Sequence, residues 1–128
     1  SRTLVLARAA DATWTAEAAT RGAPELPDAG IVRPDELAGA DDCDLGLCPV
    51  TNTMPIRRLR LQHGEVPPTP LVMAMVEVPS LRVVRSEQRY RSVSADAVGF
   101  RSGGFHAVLG VDEDGLVTDY PSLATRVR

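Results

Sequence analysis

The chain has 128 residues, with 14 basic against 17 acidic side chains and a formal net charge of −3. That length fits a single domain with one core, and the acidic balance counts against the strongly basic footprint on which nucleic-acid binding depends. Apolar residues at 44% and charged residues at 24% exclude wholesale disorder.

No apolar run approaches the ~18 residues of a membrane span. The N-terminal apolar stretch is broken by Arg8 and Asp11 and lacks a signal-peptide core, so no transmembrane segment is expected and cytoplasm is the default location. Every basic residue is an arginine. With the high Ala and Val content, that usage reads as a coding bias rather than a phosphate-binding design.

Ten prolines and ten glycines leave runs of strand length and little helical periodicity. Residues 2–9 predict a strand around Leu4-Val5-Leu6, and residues 13–18, around Trp14, a second one facing it across a loop. Residues 21–42 read as loop, except that Pro34-Asp35-Glu36-Leu37 starts one helical turn, with proline early and acids near its positive end. Pro49 and Pro55 then bracket Thr51-Asn52-Thr53, a turn-forming cluster. Residues 56–61 read as an alternating strand. That strand would put Arg57 beside Leu59 and Leu61, and Arg58 and Arg60 on the other face with Ile56.

After a turn at His63-Gly64-Glu65, residues 70–78 are apolar on both faces and predict a strand covered on both. Residues 81–92 fit a long strand with one wet face, and 97–100 and 104–112 are further strands. Asp112-Glu113-Asp114-Gly115 is the clearest turn and closes a hairpin with 116–120, where Pro121 stops the return strand. About seven strands joined by short turns predict a mainly β domain over residues 1–128. The expected form is an antiparallel curved sheet, half-barrel or barrel-like, with little helix.

Chemistry-bearing patterns are sparse. Cys43 and Cys48 have no second pair and no histidine near them, so no metal site is predicted and ordinary core or loop thiols are expected. No nucleophile elbow surrounds a serine, and neither a phosphate loop nor a dinucleotide fingerprint occurs, so no catalytic residue and no cofactor is assigned. The acidic turn at 112–115 lacks the later ligands of a calcium loop.

The run Asp44-Leu45-Gly46-Leu47-Cys48-Pro49-Val50-Thr51-Asn52-Thr53-Met54-Pro55-Ile56-Arg57-Arg58-Leu59 resembles the signature of a bacterial family named putative glycolipid-binding proteins. Val78-Pro79-Ser80-Leu81, followed by Gln88 and Tyr90, is similar to that family's Pro-x-Leu and Gln-x-Tyr strand. Val111 to Pro121 is similar to its closing hairpin. The chain departs from the family at Val50, where Phe is usual, and at Cys48, where Thr is usual. The family also carries an additional N-terminal β-segment, so on this comparison the chain reads as N-terminally shortened, or as a variant that replaces those strands by self-association.

The resemblance implies a curved antiparallel sheet with a concave apolar face that shelters a glycolipid or other amphipathic small molecule, without catalysis. Leu71, Met73 and Met75, or the opposite set Val72, Ala74 and Val76, would line it. Asn52, Arg57 and Gln88 would meet the polar head, in a pocket of roughly 300–1,000 Å³ with mostly apolar walls. With only five aromatic residues, ring stacking on a sugar is expected to be scarce. Asp44, Thr51, Pro55, Arg58, Asp119 and Tyr120 would be structural parts of the motif, with Asp44 or Asp119 pairing with Arg57 and Tyr120 plugging one end.

Two other readings stay open. One is an enzyme on a small amphipathic substrate, with Asn52 and Arg57 stabilising an oxyanion and Asp44, Asp119 or His106 as base. The other is an interaction module that pairs an uncovered edge strand with another chain, such as a second copy in a homodimer.

Overall fold

The computed structural model describes residues 1–22 and 25–127. The chain is mainly β, as expected, with ten strands among the described residues. It divides into two compact units, Ser1–Gly46 with Val72–Ser86, and Leu47–Leu71 with Glu87–Arg128.

In the first unit, β1 (Arg2–Arg8) and β2 (Trp14–Thr20) form an antiparallel hairpin that pairs Arg2 with Thr20 and Arg8 with Trp14. Leu4 and Leu6 turn inward while Val5 is exposed, the alternation a half-buried strand requires. Side chains of the hairpin satisfy loop carbonyls that no ladder reaches. The Arg2 guanidinium donates to Ser80 O at 2.7 Å and to the carbonyls of Leu26 and Pro27, and Trp14 Nε1 donates to Ala40 O at 3.0 Å. Arg8 also reaches Ala40 O, and it pairs with Asp41.

The loop expected over 21–42 and the residues just after it hold two strands that the sequence reading lacked, besides the one turn it had. β3 (Gly30–Ile31) runs parallel to the start of β6 (Arg82–Ser94), and Pro34–Leu37 is the expected single helical turn, of 3-10 form. β4 (Asp42–Leu45) pairs in parallel with the end of β5 (Thr69–Val76), Asp42 against Met73 and Leu45 against Val76. These two parallel pairs correct the expectation of a purely antiparallel sheet. Residues 23 and 24 of that loop lie outside the described residues.

Leu37, Ala74, Val76 and Val83 form this unit's core, with Leu4, Leu6, Trp14 and Cys43 packed against it. β5 is covered on both faces, as its two-sided apolar sequence demands: Met73 and Ala74 point to opposite faces and both are buried.

In the second unit, β7 (Ala97–Ser102), β8 (Phe105–Val111), β9 (Val117–Tyr120) and β10 (Ala124–Thr125) follow the later part of β6 in one antiparallel order, β6-β7-β8-β9-β10. A two-residue turn at Gly103-Gly104 joins β7 to β8, with Gly103 at a φ of +56°. The register shifts between Ser92 and Ser94 and between Gly110 and Val111, interrupting the ladders there. The core is Ile56, Leu61, Tyr90, Val98, Phe100, Leu109 and Val111.

The segment expected as an alternating strand at 56–61 is instead helix. A 3-10 turn at Pro49–Asn52 leads into α1 (Thr53–Arg58). Each proline sits in the first turn of its helix, where its missing N–H is not needed, so the pair starts helices rather than breaking a strand. Ile56 and Leu59 lie three apart on one helical face, a spacing that the alternating reading ignored.

The helix ends in a Schellman motif. Leu61 N donates to Ile56 O at 3.1 Å, and Arg60 N to Arg57 O at 3.2 Å, with Arg60 left-handed at a φ of +55°. The turn-back sends Leu61 into the core beside Ile56, both about fully buried. An L-residue there carries strain that glycine lacks. Arg60→Gly is therefore expected to raise unfolding free energy by about 0.5–1 kcal/mol, the strain relief being partly offset by the freer unfolded chain. The midpoint of urea unfolding measures it.

Candidate ligand-binding cleft

The Pro-bracketed segment is tied into the second unit by side chains that satisfy backbone. Thr51 Oγ1 donates to Cys48 O at 3.3 Å and Thr53 Oγ1 to Gly115 O at 2.9 Å. Gln62 Nε2 reaches two turns at once, donating to Asp112 O at 2.6 Å and Ala95 O at 2.9 Å. Gly115 is at a φ of +81°, and a Cβ there would stand 3.1 Å from Arg57 Cγ, so a side chain at this turn would be strained and would crowd α1. Asn52, buried under the segment, donates from Nδ2 to Tyr90 Oη at 2.7 Å.

Tyr90 marks the inner face of the sheet. Along β6, Gln88 and Tyr90 are buried while Arg89 and Arg91 are exposed. The pairing Tyr90↔Phe100↔Ala107 carries the inner face across β7 and β8. Four of the five aromatic rings gather there. Tyr90 meets Phe100 edge-on at 5.1 Å between centroids, and Phe105 lies nearly parallel to Tyr120 at 6.0 Å. Rings are few, as expected, but they are not scattered.

The opposite face holds a cleft of about 720 Å³. Its lining comprises Arg89, Arg91, Arg101 and His106 around Gly99, Val108 and Pro68, with parts of Tyr90, Phe100 and Ala107. The register explains the grouping: Arg89 is directly across from Arg101, Arg101 from His106, and Arg91 from Gly99. The Arg91 stem lies over Gly99, where a Cβ would come within 2.6 Å of Arg91 Cγ. The volume fits the expected range, but three guanidinium groups replace the mostly apolar walls.

The expected site residues separate. Asn52 and Gln88 are buried, and Leu71 packs against the core of the same unit as both. Arg57 is exposed on α1, in a shallower recess of about 420 Å³ with Arg58, Arg60, Glu113 and Asp114. Among the described residues of its unit no carboxylate forms an ion pair with it, and Asp119 accepts a hydrogen bond from Thr125 Oγ1 at 3.1 Å. The helix removes the physical ground for that pairing, because Arg57 no longer shares a face with buried leucines.

Met73 is buried and Met75 half-buried in β5, the latter across from Asp44 of β4. Thr51 and Pro55 are buried, Arg58 is exposed at the end of α1, and Tyr120 is half-buried against Phe100 and Phe105.

Neither cysteine is in a disulfide. Burial, opposed in part by a backbone hydrogen bond, pushes the Cys43 thiol above its ordinary value and keeps it protonated. Among the described residues, no cluster of three or more His, Cys, Asp or Glu could hold a metal ion, and no helix is long and apolar enough to cross a membrane.

Sequence reasoning missed the cleft. A usable signal was present: once Gly103-Gly104 is taken as a two-residue hairpin turn, Arg101 must oppose His106, and the wet face of β6 supplies the other two arginines.

The family model described as "Putative glycolipid-binding" matches residues 1–126. The chain belongs to that family. It is also similar to a crystal structure of a DUF1089 family protein from Pseudomonas aeruginosa, with 37% sequence identity and a TM-score of 0.65. That similarity covers 70% of this chain and 49% of the other, so the chain spans about half the length of that relative. A search of the curated proteins found no match.

Two outcomes follow from the site's supports. Tyr90→Phe strands the buried Asn52 amide and is expected to lower stability by about 1–3 kcal/mol in urea unfolding. The second concerns Asp112. The Arg126 guanidinium, then the amides of Leu116 and Asp114, hold the Asp112 carboxyl below the usual carboxylate range. A carboxylate depressed by folding stabilises above its unfolded value and loses that contribution as pH falls through the folded one. The difference in urea midpoint between the protein and its Asp112→Asn variant should therefore narrow between about pH 6 and about pH 3.

Proposed function

We propose that the protein binds an amphipathic small molecule of the glycolipid class in the cleft on β6–β8, without turning it over. The observation that carries this reading is the make-up of the cleft: apolar groups of Val108, Pro68 and the Arg91 stem over Gly99, beside the polar heads of Arg89, Arg91, Arg101 and His106. A ligand with an apolar part and a polar head satisfies both surfaces at once, whereas a purely polar solute leaves the floor wet. The family description points to the same class of molecule.

In this reading Asn52, Gln88 and Leu71 hold the strands beneath the cleft and do not touch the ligand. Arg57, Met73 and Met75 have no part in the cleft.

The test is native mass spectrometry of the purified protein, followed by organic extraction and by titration with dodecyl maltoside below its micelle concentration. A one-to-one complex is expected. Val108→Asp, a change at an exposed position, is expected to weaken it by about tenfold or more by placing a charge in the apolar floor. A protein that retains no amphiphile and binds none in titration ends this reading.

A further inference from the structure

The cleft contains more positive charge than its surroundings justify. Arg89, Arg101 and His106 form one row across three neighbouring strands, each directly opposite the next, and Arg91 stands two residues further along β6, the next on the same face. Like charges placed directly opposite on adjacent strands destabilise a sheet. Chains offset such a cost with a carboxylate or use it on a ligand. Here 17 acidic residues are available and the net charge is −3. Yet, among the described residues, no Asp or Glu lines the cleft and none forms an ion pair with Arg89, Arg91 or Arg101.

Gly99 adds a second observation. With no Cβ in the way, Arg91 lies flat across the floor, its Nε within 2.6 Å of where that atom would be. This carries the planar guanidinium fork over β7, the strand that also holds Arg101. Neighbouring strands are about 4.8 Å apart. That spacing lets forks from β6 and β7 converge on one tetrahedral or planar oxyanion, a geometry that suits arginine better than lysine.

We propose that the cleft selects an anionic headgroup, a phosphate, sulfate or carboxylate carried by the amphiphile, over a neutral sugar head. The inference rests on the reading of the cleft as an amphiphile site and names the chemistry of its ligand. Arg89 and Arg101 grip the oxyanion from opposite strands, Arg91 closes on it from the floor, and Val108 meets the start of the tail. The all-arginine composition, which read as coding bias in the sequence, acquires a local use in this cleft.

Calorimetric titration with dodecyl phosphate, dodecyl maltoside and inorganic phosphate separates the possibilities. Dodecyl phosphate is expected to bind at least about tenfold more tightly than dodecyl maltoside, with affinity falling as salt rises. Arg101→Gln and Arg89→Gln, both at exposed positions, should abolish that preference, and circular dichroism verifies their fold. Gly99→Ala, which lifts Arg91 off the floor, should weaken the phosphate amphiphile alone.

Equal affinity for the two amphiphiles overturns the anionic head and leaves the amphiphile site standing. So does a phosphate preference that survives both glutamine variants. Inorganic phosphate binding as tightly as dodecyl phosphate supports the anion grip and overturns the amphiphile reading. Binding of none of the three overturns both.

Discussion

The later half of β6 imposes the constraint from which the second unit follows. Its side chains alternate, so Gln88 and Tyr90 must face one way and Arg89 and Arg91 the other. One face can then be apolar and packed only if the other is charged and wet. Two short turns extend that division across the sheet. The Gly103-Gly104 turn puts Phe100 beside Ala107 on the inner side and Arg101 beside His106 on the outer side. A slip of one residue would bury the arginines and expose the rings, so the core and the cleft are set by the same register.

The inner face explains the odd Pro-bracketed segment. Tyr90 carries a hydroxyl into an apolar cluster, and a buried hydroxyl needs a partner. Asn52 supplies it, held by a 3-10 turn and a short helix whose threonines bond nearby carbonyls. Arg60 ends that helix in a left-handed conformation and turns Leu61 inward. The Pro-bracketed segment thus ties down one tyrosine and one hairpin turn.

The first unit solves a different problem with different means. Its hairpin has small residues and a two-residue parallel partner strand nearby, so ladder hydrogen bonds alone leave many loop carbonyls unmet. Arg2, Arg8 and Trp14 reach out to those carbonyls with their side chains. Arginine here acts as a donor to backbone, whereas in the cleft of the second unit it faces solvent with no partner among the described residues.

Local pattern was enough for the class and for most strands. Alternation, Gly-rich turns and Asp-Gly placed strands at β1, β2 and β5 to β9 within a few residues, because period-two hydrophobicity and turn chemistry are properties of adjacent residues. It was not enough for β3 and β4, two- and four-residue pieces whose parallel partners lie some 30 to 50 positions away. Nor could it separate helix from strand at 56–61, where the same residues satisfy both periods and the choice falls to Leu61 entering a core built from β6 to β8. Site residues such as Asn52, Arg57 and Gln88 were legible as unusual, but their burial or exposure was not. The sequence by itself determined a mainly β chain and the residues that alternate. Tertiary structure alone decided which alternating arginines would face one another across strands, because register couples residues that no local interaction brings together.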